Sequence, residues 1–270
     1  MCIDGTIFIS TLTATFLGAF AGAWGAYFCN IKQSNDELKS NEKAKLLKLF
    51  YDINILTKTF VYHYCNTAAQ INNLTKADVM SCTPITIKDN NLDIDEYGFL
   101  TKLSPKLYEM LTYVHHDISY VCEQEDIATE FLCKEVEAEV YLVKLEHIKV
   151  STLKLLAKLY VNLKNINCAL VKYYGCKNLI KEEVINSYIR AKKVINRELK
   201  EFEKILSDPE SKKKMDKEDL KTIQIDSEYI KEIMLTWYID FSLCENQKEA
   251  LKNIIERLEK EKWEAPENDL

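Results

Sequence analysis

The chain begins with a long run of uncharged residues, from Gly5 to Ile31, and continues as a charged sequence rich in lysine. A transmembrane helix needs about 20 mostly apolar residues, because each residue advances it by about 1.5 Å across the hydrocarbon core. The bulky members of the run fall between Ile7 and Phe28. The pattern therefore predicts a single transmembrane helix over residues 7–31, surrounded by the lipid bilayer.

The residues that flank this helix predict its orientation. Trp24 and Tyr27 lie near its C-terminal end and Lys32 follows it, so these three are expected to anchor it at the membrane–water interface. Residues 1–6 contain no lysine or arginine, whereas several lysines follow Lys32. Because basic residues are retained in the cytoplasm, we expect residues 1–6 to form a short extracytoplasmic N-terminus and the body to be cytoplasmic.

Two other interpretations of the same run stay open. A cleaved signal peptide would use the small residues of 19–21 or 21–23 as its cleavage site. Signal peptides normally begin with a basic segment, however, and this chain begins with the acidic Asp4. A buried helix of a soluble protein is the other alternative. The length of the run and the charges that flank it favour the membrane anchor.

A stripe of small residues lies within the predicted transmembrane helix. Gly18, Gly22 and Ala26 are spaced four residues apart, so they share one face of a helix. Small side chains at this spacing let two membrane helices approach closely enough for contact between their backbones. The alternative is that the spacing arose by chance, since glycine is common in membrane helices. The motif predicts self-association through this face.

The remainder of the chain has helical periodicity almost throughout, with apolar residues recurring every three or four positions. The longest pattern, residues 127–174, is expected to split near 147–151, and Gly175 is expected to end it. The fold class predicted is therefore all-α: one transmembrane helix followed by an elongated bundle of about five long helices. The predicted divisions of the body are a helical bundle over 32–206 with an irregular insertion at 76–104, a linker at 207–226, a C-terminal long amphipathic helix at 227–262 that packs on the bundle, and a frayed tail at 263–270.

The predicted C-terminal helix has the most regular apolar stripe in the chain. Its members alternate spacings of three and four residues, interrupted by the charged Lys248. Such a stripe is typical of a coiled coil or of a long antiparallel bundle, and the bulky Trp237 and Phe241 favour the bundle. The residues expected to pack are Ile230, Met234, Trp237, Phe241, Leu251, Ile255 and Leu258.

Composition narrows the classes of function. The chain has only 6 glycines and 4 prolines, which favours long helices over a glycine-dependent nucleotide-binding fold. Its net charge of −6 provides no basic surface typical of nucleic-acid binding, and the basic run Lys212–Lys214 is interpreted as a solvated part of the linker. The 9 cysteines form no CxxC pair, which fits a reducing compartment. Signal cleavage would leave 8, so export stays open.

Residue types that bind metals occur in two places without the required spacing. The acidic segment 89–95 alternates oxygen ligands but lacks the glycine and glutamate of an EF-hand loop. His115 and His116 point about 100° apart on a helix, so a zinc site would need further ligands such as His63 and Cys122. No phosphate-binding glycine loop or hydrolase motif is present. We therefore predict no catalytic residue, metal site or cofactor.

Three hypotheses about function follow from these patterns. The first is a membrane-anchored helical interaction protein, a scaffold, sensor or assembly component, with a cytoplasmic body that forms a homo-oligomer or binds a protein partner. The second is an enzyme with an unrecognised site in the bundle, using His115 or His116 with nearby carboxylates. The third is an exported helical protein left after signal-peptide cleavage.

Overall fold

The structure is a computed structural model that describes residues 5–77, 92–134, 137–176, 182–249 and 252; the side chains of residues 5–25, 77, 182–185 and 214 lie outside this description. The described residues contain helices and no strands, so the all-α prediction is confirmed for them. The helices in chain order are α1 (Gly5–Ala77), a 3-10 helix (Ile94–Tyr97), α2 (Leu100–Leu103), α3 (Pro105–Cys133), α4 (Ala138–Tyr174), α5 (Glu182–Ser207), α6 (Pro209–Lys214) and α7 (Lys217–Thr236).

The chain divides into two compact units, residues 1–45 and residues 46–270. The first unit contains the predicted transmembrane segment 7–31, whose backbone is helical as part of α1. Within this unit the side chains of residues 26–41 are exposed. No helix among the described residues is both long enough and apolar enough to cross a membrane.

The second unit is built around α4. Its residues from Thr152 to Leu163 are buried on almost every side, and the helix contacts α3, α5 and α7. The part of α1 that belongs to this unit contributes a row of fully buried side chains from Leu46 to Tyr64 to the same hydrophobic core. A helix surrounded in this way must be apolar all round or must pair its polar groups with those of its neighbours.

The side-chain contacts of α4 show the directions in which its neighbours run. Its partners on α3 are Tyr120 for His147 and Met110 for Asn165, so the two helices are antiparallel. On α5, Glu198 pairs with Lys149 and Tyr188 with Tyr160, which is again antiparallel. On α7 the residue numbers increase in the same direction as on α4. Asp226 pairs with Lys154, and Trp237, which lies just beyond the end of α7, contacts Asn165. α7 is therefore parallel to α4.

The long pattern over residues 127–174 divides earlier than the sequence predicts. α3 continues to Cys133 and α4 begins at Ala138, with no break at 147–151. The reason is that Leu145 and Ile148 are buried in a second hydrophobic cluster that includes Leu74 of α1, and Leu153 is buried in the main core, so the helix is packed before, within and after the expected break. The predicted stop at Gly175 is confirmed: this residue has φ of +62° and its N–H donates to Val171 O.

The predicted linker at 207–226 is wrong, because most of it is helical. Asp208 caps α6 by accepting hydrogen bonds from the N–H groups of Glu210 and Ser211, and Pro209 occupies the first turn. Asp216 caps α7 in the same way. Aspartate and proline, which are common between helices, here begin the next helix.

The predicted C-terminal helix at 227–262 is also wrong in its bounds. α7 begins ten residues earlier, at Lys217, and ends at Thr236, and residues 237–244 are not helical. A short helical stretch resumes at 245–249. Apart from residue 252, the chain after 249, including the tail at 263–270, lies outside the described residues.

The predicted irregular insertion at 76–104 is partly helical. Residues 78–91 lie outside the described residues, but the 3-10 helix and α2 occupy most of 94–103. Tyr97 is 1% exposed and its hydroxyl donates to Asp52 on α1, while Leu100 is fully buried. Burial of these two side chains holds the segment against the body. The sequence did not predict its helices because the segment has too few apolar positions to show helical periodicity.

Gly175 provides a test of this helix end. A left-handed conformation costs a residue with a Cβ about 1–2 kcal/mol, so Gly175→Ala should lower the free energy of unfolding by that amount. Gly98→Ala is the matched control, because Gly98 has φ of −54° and its added Cβ would make only an ordinary contact of 3.4 Å with Asp95 O. Urea unfolding followed by circular dichroism measures both. Equal losses in the two variants would contradict this account of Gly175.

Candidate functional site

Three lysines of α4 form ion pairs with three different helices. Lys149 Nζ lies 3.1 Å from Glu198 of α5, Lys154 Nζ lies 2.6 Å from Asp226 of α7, and Lys158 Nζ lies 2.6 Å from Asp117 of α3. The pairs are partly or largely shielded from water, and the side chain of Lys158 is only 7% exposed. Each pair therefore links the central helix to one neighbour.

Lys158 is also enclosed by aromatic rings. Its ammonium group lies 5.3 Å from the ring centre of Trp237 and 5.6 Å from that of Tyr229. Lys154 lies 5.8 Å from the same tyrosine ring. The negative face of an aromatic ring attracts a cation at these distances. The two lysines are therefore held by carboxylates and rings together, and their charges are used within the fold.

A second cation lies among tyrosines farther along α4. Lys164 Nζ is 5.1 Å from the ring centre of Tyr160, 5.6 Å from that of Tyr188 and 4.8 Å from that of Tyr238. Tyr160 and Tyr188 stack with ring centres 4.4 Å apart, and their hydroxyls are 2.7 Å apart. Burial raises the pKa of the nearby Cys168 thiol to about 11, so that thiol is protonated and a poor nucleophile at neutral pH.

The segment 237–244 is held against α4 by one amide side chain. Asn165 is 1% exposed; its Nδ2 donates to Trp237 O at 2.9 Å and its Oδ1 accepts from the N–H of Ile239 at 3.1 Å. These bonds replace the helical ones that the segment lacks. Lys172 donates to Ser242 O at 2.9 Å, and Phe241 is 7% exposed. Asn165 therefore determines where α7 ends.

Polar groups of α1 are also used within the body. His63 is 1% exposed, and its Nε2 lies 3.0 Å from Glu125 Oε1 on α3. Tyr64 is fully buried, and burial and then the negative charge of Glu198 raise its pKa. Lys149 lies 5.8 Å from the ring centre of Tyr64. His63 therefore joins α1 to α3, and Tyr64 lies beside the Lys149–Glu198 pair that links α4 to α5.

The zinc site considered from the sequence is not assembled by the described residues. No group of three or more His, Cys, Asp or Glu side chains among them could hold a metal ion. His115 and His116 have ring centres 6.0 Å apart, while His63 faces Glu125. The carboxylate that follows the histidine pair, Asp117, is paired with a lysine of α4. The acidic segment 89–95 lies mostly outside the described residues.

The remaining predicted site residues have these locations. Ile230 is fully buried and Phe241 is 7% exposed, and both belong to the main core; Met234 and Trp237 are half-buried against it. Leu251, Ile255 and Leu258 lie outside the described residues, as do the burial of Gly18 and Gly22 and the side chain of Trp24. Ala26, Tyr27 and Lys32 are exposed. Self-association through the small-residue stripe and anchoring at the interface stay predictions.

One surface that the sequence reasoning missed lies on α1 within the second unit. Tyr51, Ile55 and Tyr62 are 37%, 54% and 65% exposed, on the side of the helix opposite its buried residues. We call these three residues the α1 outer face. Spacings of four and seven residues place them in one row of the helix, and the sequence analysis did not single out this row.

Comparisons with models of protein families, with curated proteins and with solved structures found no match. Function must therefore be argued from the residues of this chain.

Breaking the ion pair of Lys158, the most buried of the three lysines, tests their role. Asp117→Asn leaves the Lys158 ammonium without its counter-charge, and we expect a loss of about 2–3 kcal/mol in the free energy of unfolding. The matched control is Glu96→Gln, which removes the partner of Lys48; the side chain of that lysine is 56% exposed, so the loss should be much smaller than that of Asp117→Asn. Urea unfolding measures both variants. A control loss as large as that of Asp117→Asn would contradict a special role for the buried pair.

Proposed function

We propose that this chain is a membrane-anchored helical interaction protein, inserted through residues 7–31, with a cytoplasmic body that assembles with a second copy of the chain. The observation that carries the proposal is the α1 outer face, an apolar row exposed on the helix that also contains the predicted anchor. In this proposal the chain serves as a scaffold, a sensor or an assembly component.

The membrane part of the proposal is supported by the sequence. The run from Gly5 to Ile31 contains no charged residue, and the first basic residue of the chain, Lys32, follows it directly. The charges on the two sides favour an extracytoplasmic N-terminus and a cytoplasmic body. The side chains of most of this run belong to the residues outside the structural description.

The interaction part of the proposal is supported by the composition of the α1 outer face. Tyrosine and isoleucine contribute large contact areas, and aromatic side chains are enriched at the centres of protein interfaces. The neighbouring apolar positions of α1, such as Leu49 and Ile53, are fully buried in the core. The three exposed residues are therefore surplus to the packing of the body, and burying them in an interface would be favourable.

A second copy is the occupant that the chain itself favours. Two copies inserted in the same orientation present the same helix to one another, and symmetric contact between identical surfaces is the commonest form of protein assembly. Gly18, Gly22 and Ala26 form a small-residue stripe of the kind that brings parallel membrane helices together. The same helix therefore carries two candidate contact surfaces, one in each unit.

Energy transfer between donor- and acceptor-labelled full-length chains in proteoliposomes tests the proposal. Gly22→Ile should weaken association by preventing close helix contact, and Ile55→Asp should weaken it about tenfold or more by placing a charge in the interface. The matched controls are Ala23→Ile on another side of the predicted anchor, and Leu235→Asp on α7, where Leu235 is 77% exposed. Both controls should associate normally.

Three outcomes would overturn the proposal. A chain that is recovered in the aqueous phase without detergent is not membrane-anchored. A chain that gives no energy transfer at any density in the membrane does not assemble with itself. Equal weakening by Ile55→Asp and Leu235→Asp would show that the α1 outer face is not the contact surface.

A further inference from the structure

A groove lies where the end of α5 meets α6 and α7. Its volume is about 520 Å³, and its walls include Leu206 and Leu220. Four lysines line it: Lys212 on α6, with Lys217, Lys221 and Lys231 on α7. We call this surface the lysine groove. It lies entirely within the second unit and shares no residue with the α1 outer face.

The lysine groove has a surplus of positive charge in a chain whose net charge is −6. Lys231 is paired with Glu203 at 2.7 Å, and Glu228 is the acidic residue among those that line the groove. Four lysines against these two carboxylates leave a surplus of two positive charges. Glu228 is oriented by Gln224, whose Nε2 donates to it at 2.8 Å.

Three of the four lysines are not used by the fold. Within the described part of the chain, Lys212, Lys217 and Lys221 make no ion pair, in contrast to Lys149, Lys154 and Lys158 of α4. Like charges gathered around one groove repel each other, so their grouping is unfavourable for the empty protein. A bound anion would remove that repulsion.

Ser227 adds a hydroxyl group to the wall of the lysine groove. It lines the groove although the residue is 97% buried, since its exposed fraction is 3%. Its hydroxyl has no hydrogen-bond partner among the described residues. The hydroxyl oxygen is not among the fully buried polar atoms without a partner, so it is accessible from the groove, where it can donate a hydrogen bond to an acceptor oxygen of a ligand. The groove thus offers three free cations around one free hydroxyl donor.

We propose that the lysine groove binds a phosphate-bearing ligand. A phosphate group carries up to two negative charges and several acceptor oxygens, which matches free ammonium groups together with a hydroxyl donor. A single water occupies about 30 Å³ of liquid, so the groove has room for two linked phosphates or for one phosphate with an attached organic group. Leu206 and Leu220 would contact the attached group.

The phosphate could come from a soluble compound or from a lipid headgroup. The site lies on the end of α5, on α6 and on α7, all within the second unit, so its test does not depend on the proposed membrane anchor or on self-association. A groove that binds phosphate in a chain that fails to dimerise would leave this inference intact.

Isothermal titration calorimetry of the full-length protein in non-ionic detergent micelles, with inorganic pyrophosphate as the probe, tests the site. The variant Lys217→Gln/Lys221→Gln removes two free ammonium groups. We expect affinity for pyrophosphate to fall about tenfold or more, because hydrogen bonds to charged groups contribute that much to binding. Lys102→Gln/Lys106→Gln is the matched control, because both residues are exposed and the change in net charge is the same. Ser227→Ala should weaken binding by a smaller factor.

Thermal unfolding separates binding from folding. Because Lys217 and Lys221 have no described partner, their double variant should unfold without pyrophosphate at the wild-type temperature or above it. Pyrophosphate should raise the unfolding temperature of the wild type and of the Lys102→Gln/Lys106→Gln control but not that of the groove variant. A parallel experiment adds phosphatidic acid to the micelles in place of pyrophosphate and identifies the source of the phosphate. A rise in unfolding temperature with the lipid alone assigns a lipid headgroup as the ligand, and a rise with pyrophosphate assigns a soluble compound.

Two results would overturn the inference. Absence of binding to both probes would show that the groove is only a solvated basic surface. Equal weakening by the groove variant and by the control variant would show that binding follows net charge and not this site.

Discussion

The structure of the body depends on how the central helix α4 satisfies its own polar groups. A charged side chain inside a protein is tolerated only when an opposite charge or a set of hydrogen bonds replaces water. Lys158 meets that requirement with Asp117, and Lys149 and Lys154 meet it with carboxylates on two other helices. Hydrophobic burial favours any close packing of these helices, whereas each ion pair forms in only one register. The pairs therefore select one arrangement among many that would bury a similar area.

Much of the fold could be predicted from the sequence because its signals are local. Helical periodicity identified the all-α class, and Gly175 ended α4 where a left-handed residue was expected. The end of α7 could not be predicted, because Trp237 and Phe241 have the spacing of a continuing helix. The side chain that ends it, Asn165, lies 72 residues earlier than Trp237 and acts through hydrogen bonds formed only in the folded protein.

The candidate sites were harder to predict than the fold, for two physical reasons. Helical periodicity places Tyr62 on the face opposite Tyr64, but it does not show whether another helix covers that face, so sequence alone could not identify the α1 outer face as exposed. The lysine groove exists because α6 and α7 fold back beside the end of α5, which brings Lys212 near Lys221. Both residues lie in the segment that the sequence analysis predicted to be a linker. Tertiary packing, which periodicity does not encode, creates both surfaces.

The membrane anchor is the central claim, and thiol labelling of intact cells with a membrane-impermeant reagent tests it most directly. Cys2 lies before the predicted anchor, whereas Cys133 and Cys244 of the body are free and exposed. The account predicts that only Cys2 reacts in intact cells and that Cys133 and Cys244 react once the membrane is permeabilised. Labelling of body cysteines in intact cells would contradict the orientation. Loss of Cys2 together with oxidation of the remaining cysteines would show instead an exported protein whose first segment is a cleaved signal peptide.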